Sequence, residues 1–134
     1  NVYGTYGIHP HEAKLYESLK VEKIIQNLSL DKKLIGIGET GLDFYYNHSD
    51  KKSQQDSFLK HIKAAQETSS TLIVHSRSAE NETFDILNKE IKKKHKACRP
   101  QRWISWARES ITNGGRLAHK LIKGTNIAEL ASPT

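Results

Sequence analysis

The stretch "LIGIGETGLDFYY", from Leu34 to Tyr46, decides how this chain folds. Its first half is a short apolar run broken by glycines, which is typical of a strand buried on both faces of a parallel sheet. The run ends on a carboxylate, Glu39, passes Gly41 and presents a second carboxylate, Asp43. A strand that only packs against its neighbours does not need a charged side chain at its end, so the pattern indicates a strand that ends in functional side chains.

Strand and helix patterns alternate on both sides of this stretch. "VYGTYGI" and "TLIVHSR" are rich in β-branched and aromatic residues and predict strands. "VEKIIQNL", "QQDSFLKHIKAAQE" and "AENETFDILNKEIKKK" have apolar residues at helical spacing. Alternation of this kind favours a parallel sheet with right-handed crossovers. We predict adjacent parallel strands over Val2–Ile8, Leu34–Gly38 and Thr71–Val74, with the helices on one face.

Length and composition indicate a single small domain. The chain has 134 residues and no apolar run long enough to span a bilayer. Cys98 is alone, which excludes an internal disulfide and suits a reducing compartment, so we expect a cytoplasmic location and no membrane partner. The chain contains no methionine and begins at Asn1, which predicts a fragment of a longer protein.

Charge and composition change along the chain. The formal charge of +6 is compatible with a polyanionic partner such as nucleic acid, and equally with a lysine-rich surface that serves solubility. Four of the five arginines and both tryptophans, Trp103 and Trp106, follow Ala97. We therefore predict a repeat region over residues 1–97 and a separate tail over residues 98–134. "RLAHKLIKG" in the tail predicts a helix, whereas "WISWARESITNGG" fits no single period.

Each predicted strand ends in side chains that bind metals or phosphates. His9 and His11 follow the first strand, Glu39 follows the second, and His75 with Arg77 closes the third. In parallel sheets and barrels, ligands collect at the carboxyl ends of the strands. Histidine and carboxylate ligands on separate strands suit hydrolytic centres of Zn²⁺, Mn²⁺ or Mg²⁺. No phosphate-binding loop and no nucleophile elbow is found in the sequence, so nucleophilic side-chain catalysis has little support.

Every one of these residues also has a purely structural interpretation. His9 fits a turn before proline, Glu39 a cap or a lysine partner, His75 a satisfied core histidine, Asp43 the end of a turn, and Arg77 a surface ion pair. Their shared placement at one edge of the predicted sheet favours a site over five separate structural roles.

Four motifs make the sequence recognisable. "YGIHPH", "GETGLDFYY", "Q-x-x-x-F" from Gln54 to Phe58, and "IVHSRSA" closely resemble the TatD family of metal-dependent deoxyribonucleases. The resemblance runs from about Val2 to Lys94. It implies an α/β fold of the TIM (β/α)8-barrel type, of which this chain holds a part truncated at both ends. It also implies a divalent metal, Mg²⁺ first, with Mn²⁺ or Zn²⁺ as alternatives, and hydrolysis of phosphodiester bonds with DNA as the partner.

The resemblance also assigns roles by position. Glu39 matches a metal-bridging glutamate and His75 a metal-ligand histidine, and both are implied as the catalytic residues. His9 and His11 match an H-P-H turn that faces the substrate phosphate, and we place Arg77 with them as a phosphate ligand. Asp43 is expected to support the metal ligands from behind.

The sequence departs from the family pattern at several points. A first strand carrying two metal-binding histidines is expected before Val2, and a later histidine and aspartate after Lys94; none has a counterpart here. Thr71 and Ser78 replace a proline and an acidic residue. We therefore expect impaired hydrolysis. The alternatives are a catalytically dead remnant, a small basic nucleic-acid-binding module, and a related barrel hydrolase acting on small esters or amides.

Three parallel strands cannot close a barrel, so apolar positions such as Ile8 and Ile35 need cover. We expect that the tail, with Trp103 and Trp106, packs on them or that the chain self-associates through the open sheet.

Overall fold

Strands and helices alternate along the chain in the computed structural model, which describes residues 2–93 and 104–106. In chain order the elements are β1 (Gly4–Tyr6), a 3₁₀ helix (Pro10–Tyr16), α1 (Val21–Leu28), β2 (Leu34–Asp43), α2 (Lys51–Thr68), β3 (Thr71–Arg77), α3 (Glu80–Lys93) and β4 (Ile104–Trp106). The predicted α/β class is confirmed.

The strands form one parallel sheet in the order β1-β2-β3-β4. The predicted adjacency of the first three strands is confirmed. β4 lies in a segment for which the sequence predicted no element, and it pairs with β3 from Leu72↔Ile104 to Val74↔Trp106. Sequential parallel strands with helical crossovers are the building pattern of (β/α) repeats.

One face of the sheet carries the hydrophobic core. Leu72 and Val74 of β3 are fully buried there, beside Ile37 of β2. The helices add a set of buried side chains to the same cluster: Ile24, Leu28, Phe58, Ile62 and Leu87. Because side chains alternate along a strand, the residues between and after Leu72 and Val74 lie on the opposite face. His75 is one of them, so the helices stabilise the sheet from one side and leave the other for chemistry.

β2 is longer than the sequence predicted. It continues to Asp43, so the predicted end at Gly38 is wrong. Ile37 pairs with Leu72 and Thr40 pairs with Val74, so β2 has one more residue than β3 between these two pairs. An extra residue of this kind makes a bulge, which bends a strand and changes the direction of a side chain. Glu39 lies in this bulge. The irregular pairing explains why the apolar strand pattern stops at Glu39 although the strand itself continues.

Glycine is required where β2 passes closest to β3. Gly41 has a φ of 144°, and a Cβ atom built there would collide with the carbonyl oxygen of His75. A side chain at this position would therefore be strained and would also push the strands apart. Gly41 lets the chain bring Asp43 beside His75.

The two apolar residues that were predicted to need cover differ in exposure. Ile35 is 58% exposed, whereas Ile8 is buried. Ile8 lies past the end of β1, and its backbone N–H donates to Nε2 of His61 in α2 at 3.0 Å. The side chains of Trp103 and Trp106 and the predicted helix at residues 116–124 lie outside the described residues. Self-association and the boundary after residue 97 stay predictions.

Candidate metal centre

Three chain segments bring two imidazoles and a carboxylate together. His9 is the N-cap of the 3₁₀ helix that follows β1, Glu39 lies in the bulge of β2, and His75 is on β3. Oε1 of Glu39 lies 2.9 Å from Nδ1 of His75 and 3.7 Å from Nε2 of His9. Donor atoms of the three residues all lie within 4.8 Å of one another. The geometry is that of a possible metal site, and it confirms that Glu39 and His75 share one edge of the sheet.

Asp43 holds His75 from the other side of its ring. The side chain of Asp43 is fully buried, and its Oδ2 lies 2.9 Å from Nε2 of His75 and 2.9 Å from Nε2 of His11. Its other oxygen accepts hydrogen bonds from the backbone N–H groups of Tyr45 and Tyr46. Asp43 therefore fixes the ring orientation of His75 while Nδ1 of His75 faces Glu39. This is the position expected for a carboxylate that supports a metal ligand.

His11 and Arg77 lie beside the His9–Glu39–His75 group without belonging to it. Nε2 of His11 contacts Asp43, and Nε of Arg77 lies 3.9 Å from Oδ2 of the same carboxylate. The sequence placed His9 and His11 together as substrate ligands. The structure brings His9 to the donor atoms of Glu39 and His75 and places His11 on Asp43. The substrate role of the two histidines stays a prediction.

Hydrogen bonding sets the charges in the cluster. The hydrogen bond to His75 holds the pKa of Glu39 below its usual value, against the opposing effect of burial. Burial lowers the pKa of His75, but its hydrogen bonds to Glu39 and Asp43 outweigh burial and raise the pKa overall. Burial, with the nearby His75 and His11, lowers the pKa of His9. An ionised Glu39 and a neutral His9 are the protonation states in which these side chains bind metals.

The contacts of Asp43 keep its buried carboxylate ionised. Burial raises the pKa of Asp43, but hydrogen bonds from His11, the Tyr46 backbone and His75 outweigh burial and lower the pKa. A buried anion is tolerated only where hydrogen bonds and opposite charges compensate it. The cluster supplies both.

Sequence reasoning missed two buried residues that support the site. Gln54 is fully buried; its side-chain oxygen accepts from Asp43 N–H at 2.8 Å, and its amide donates to the carbonyls of Asp43 and Ser49. His61 is fully buried and accepts from the backbone just before His9. The signal for both was a polar residue on the apolar face of a helix, three or four positions from Phe58.

Removing the Gln54 amide should loosen the segment that carries Asp43. We expect Gln54→Leu to lower the free energy of unfolding by about 2 kcal/mol, because buried backbone groups at Asp43 and Ser49 lose their partners. Gln55→Leu, on the same helix and without such contacts, is the matched control and should change stability far less. Urea denaturation of both variants measures the difference; equal effects would contradict the role of Gln54.

Comparison with known proteins identifies relatives over most of the described chain. The family described as TatD related DNase matches residues 1–112, past the residues 2–94 over which the motifs are recognisable. An uncharacterized metal-dependent hydrolase of Buchnera aphidicola (strain APS) is 39% identical over 94 residues, which are 66% of this chain and 36% of that protein. The uncharacterized metal-dependent hydrolase YcfH of Escherichia coli (strain K12) is 37% identical, over 67% of this chain and 33% of its own length.

Two further comparisons concern a named activity and a solved structure. A 3'-5' ssDNA/RNA exonuclease TatD of Yersinia pseudotuberculosis is 34% identical over 63% of this chain and 32% of that protein. The crystal structure of an uncharacterized amidohydrolase from Saccharomyces cerevisiae superimposes with a TM-score of 0.50 and 26% identity, over 67% of this chain and 33% of that one. The chain thus spans about a third of the length of the relatives it matches. Within the described ranges, none of the helices has the length and apolar character needed to cross a membrane.

Proposed function

Because the chain belongs to the TatD related DNase family, we propose that it carries the metal centre of a hydrolase that cleaves phosphodiester bonds in DNA. The observation that supports the proposal is the convergence of His9, Glu39 and His75 from three elements, with donor atoms within 4.8 Å of one another. The sequential parallel strands and the likeness to an amidohydrolase structure support the further proposal that this sheet is part of a (β/α)8 barrel.

The three donor groups fit a divalent ion, and their chemistry indicates which divalent ion they prefer. Mg²⁺ prefers oxygen ligands, whereas two imidazoles and one carboxylate suit Zn²⁺ or Mn²⁺. The described residues therefore favour Zn²⁺ or Mn²⁺ over the Mg²⁺ expected first from the sequence. When bound, such an ion supplies an activated water and charge neutralisation at the phosphate.

Each residue of the site has a proposed role that follows from its position. His9, Glu39 and His75 would hold the ion, with Nδ1 of His75 as the ligand atom because its Nε2 is held by Asp43. Asp43 acts as a positioning residue for His75. His11 and Arg77, which lie at the edge of Asp43, are the groups we propose for the substrate phosphate, since both offer N–H donors.

Hydrolysis by these 134 residues alone should be slow. Three protein donors leave the remaining coordination positions to water, so the ion should exchange readily. DNA binding should depend on lysines and weaken as salt rises, given the formal charge of +6. We also propose a cytoplasmic location, which the single cysteine, Cys98, favours.

Removal of the metal tests this function directly. An end-labelled oligonucleotide, incubated with excess protein, should be cleaved with Mn²⁺ or Zn²⁺ and left intact in EDTA. Cleavage that persists in EDTA would contradict a metal-dependent site. Binding of DNA without product under every metal condition would favour the basic nucleic-acid-binding module instead. Re-addition of metal after EDTA treatment is the control for irreversible unfolding, and it should restore cleavage.

A further inference from the structure

Tyr46, just after the end of β2, lies against both side chains that we propose for the substrate phosphate. The ring of His11 meets the Tyr46 ring edge to face, with centroids 5.7 Å apart and an interplanar angle of 83°. The guanidinium carbon of Arg77 lies 5.3 Å from the centroid of the same ring. One aromatic side chain therefore connects the 3₁₀ helix that carries His11 with the strand that carries Arg77.

Burial does not explain an aromatic residue at this position. Tyr46 is 43% exposed, and among the described residues it lies outside the hydrophobic core cluster. Within the same part of the chain, its hydroxyl makes no hydrogen bond. An exposed ring buries less apolar surface than a core residue and gains less stability from it. The ring contacts of Tyr46, rather than its burial, therefore indicate its role.

The Tyr46 ring is itself fixed by three neighbours. Its backbone N–H donates to Oδ1 of Asp43 at 3.2 Å. The His48 ring stacks on it with centroids 5.6 Å apart and an interplanar angle of 26°, and the Tyr45 ring meets it edge to face at 4.7 Å. Because stacked and edge-to-face contacts favour defined ring orientations, Tyr46 can restrict the side chains that lie against it.

Arg77 needs such a restraint because its ion pair is long. Nε of Arg77 lies 3.9 Å from Oδ2 of Asp43, and the same oxygen lies 2.9 Å from Nε2 of both His11 and His75. Within the described ranges, Asp43 and Tyr46 are the only ionic and ring contacts of Arg77. A guanidinium that lies against an aromatic face keeps its plane, and hence its N–H donors, in one orientation.

We propose that Tyr46 is a positioning residue that holds His11 and Arg77 in place for the substrate phosphate, through its ring and not through its hydroxyl. The observation that carries the proposal is the contact of one exposed ring with both groups. Donors that are already held in place bind an anion more tightly than the same donors on mobile side chains, because less conformational freedom is lost. The proposal rests on the proposed function for the phosphate role of His11 and Arg77.

Inorganic phosphate is the probe, because it reports on the two donors without a nucleic acid or a metal. Titration in EDTA at constant pH, followed by the NMR shifts of the His11 ring protons, gives the dissociation constant. Tyr46→Ala should weaken phosphate binding about fivefold, as expected for loss of a cation–π contact at an exposed site. Tyr46→Phe keeps the ring and should bind phosphate as the wild type does.

The neighbouring tyrosine provides the matched control. Tyr45 is 56% exposed, and its ring contacts within the described residues do not include His11 or Arg77. Tyr45→Ala should therefore keep the phosphate affinity of the wild type. A loss in Tyr45→Ala equal to that in Tyr46→Ala would remove the assignment to Tyr46.

Thermal unfolding and Zn²⁺ affinity separate positioning from damage to the fold. Tyr46→Ala keeps the backbone N–H that donates to Asp43, so the unfolding midpoint and the Zn²⁺ affinity should match those of the wild type. A fall in both that accompanies the loss of phosphate affinity would show a structural effect and would contradict the proposal.

The remaining outcomes also decide the matter. Wild-type phosphate affinity in Tyr46→Ala, or a loss in Tyr46→Phe as large as in Tyr46→Ala, would overturn the role of the ring. A wild type whose His11 shifts do not respond to phosphate would overturn the phosphate role in the proposed function, and the positioning role with it. Because no cleavage is measured, the positioning role can hold when metal-dependent cleavage fails, and it can fail when cleavage succeeds.

Discussion

Replacing His75 with alanine should reduce the affinity of the chain for Zn²⁺ or Mn²⁺ by about a hundredfold or more. Loss of a residue that merely supports a ligand already costs about 10–100-fold in metal affinity or activity, and loss of a ligand should cost at least as much. Nδ1 of His75 lies 2.9 Å from Oε1 of Glu39, and Asp43 holds the other side of the ring. Glu39→Gln should have a comparable effect, since an amide oxygen carries no charge to bind the ion.

Isothermal titration of the metal-free chain with each ion measures this loss, and the cleavage assay should fall with it in both variants. His48→Ala is the matched control, because its ring lies 4.7 Å from His11 but outside the His9–Glu39–His75 group. Affinity should be unchanged in His48→Ala. Wild-type affinity in His75→Ala would remove this histidine from the site, and a loss in His48→Ala as large as in His75→Ala would point to a surface imidazole site instead.

The parallel sheet could be predicted from the sequence because each helix and strand has its own local pattern. Ile24 and Leu28 of α1, and Phe58 and Ile62 of α2, are buried as their spacing indicates. The placement of Glu39 and His75 at one edge follows from strand direction alone. β4 was missed because three residues, Ile104–Trp106, are too few to show a period, and their pairing with β3 depends on a distant segment.

The role of Asp43 as a support of the metal ligands was predicted, but the other contacts that hold the site could not be, because they join residues far apart in sequence. Ile8 and His61 are 53 residues apart, and His11 and Asp43 are 32 apart. The bulge at Glu39 depends on the register between β2 and β3, which no local pattern encodes. Gln54 was quoted within a motif, yet its three hydrogen bonds become visible only when Asp43 and Ser49 are placed beside it.

Acidification should destabilise the fold through His61. This histidine is fully buried; its Nδ1 donates to the Ser57 carbonyl at 2.7 Å and its Nε2 accepts from Ile8 N–H. Burial lowers the pKa of His61 to about 4 in the folded chain, from 6.5 when it is free in solvent. The protonated ring would lose its acceptor at Nε2 and carry a buried charge, so the neutral form is the one compatible with the native contacts.

The depressed pKa defines the pH range in which stability is lost. The contribution of neutral His61 is fully present above pH 6.5, the unfolded value, and decreases as the pH falls towards about 4. Over that window the unfolded chain binds more protons than the folded chain, and the free energy of unfolding should drop by about 3 kcal/mol from this residue. The bond to Ile8 that is lost fixes the backbone entering His9, so the turn that carries His9 and His11 should loosen in the same range.

Urea denaturation across this pH range, for the wild type and His61→Gln, isolates the contribution. Glutamine offers an oxygen to the Ile8 N–H and does not titrate, so the variant should lack about 3 kcal/mol of the pH dependence seen in the wild type. Other carboxylates and histidines titrate in both proteins and cancel in the comparison, because only residue 61 differs. Gln66→Leu, at another position of α2, should keep the full wild-type pH dependence. Identical pH dependence in the wild type and His61→Gln would show that His61 is not the acid-sensitive contact, whatever the absolute stability of the variant.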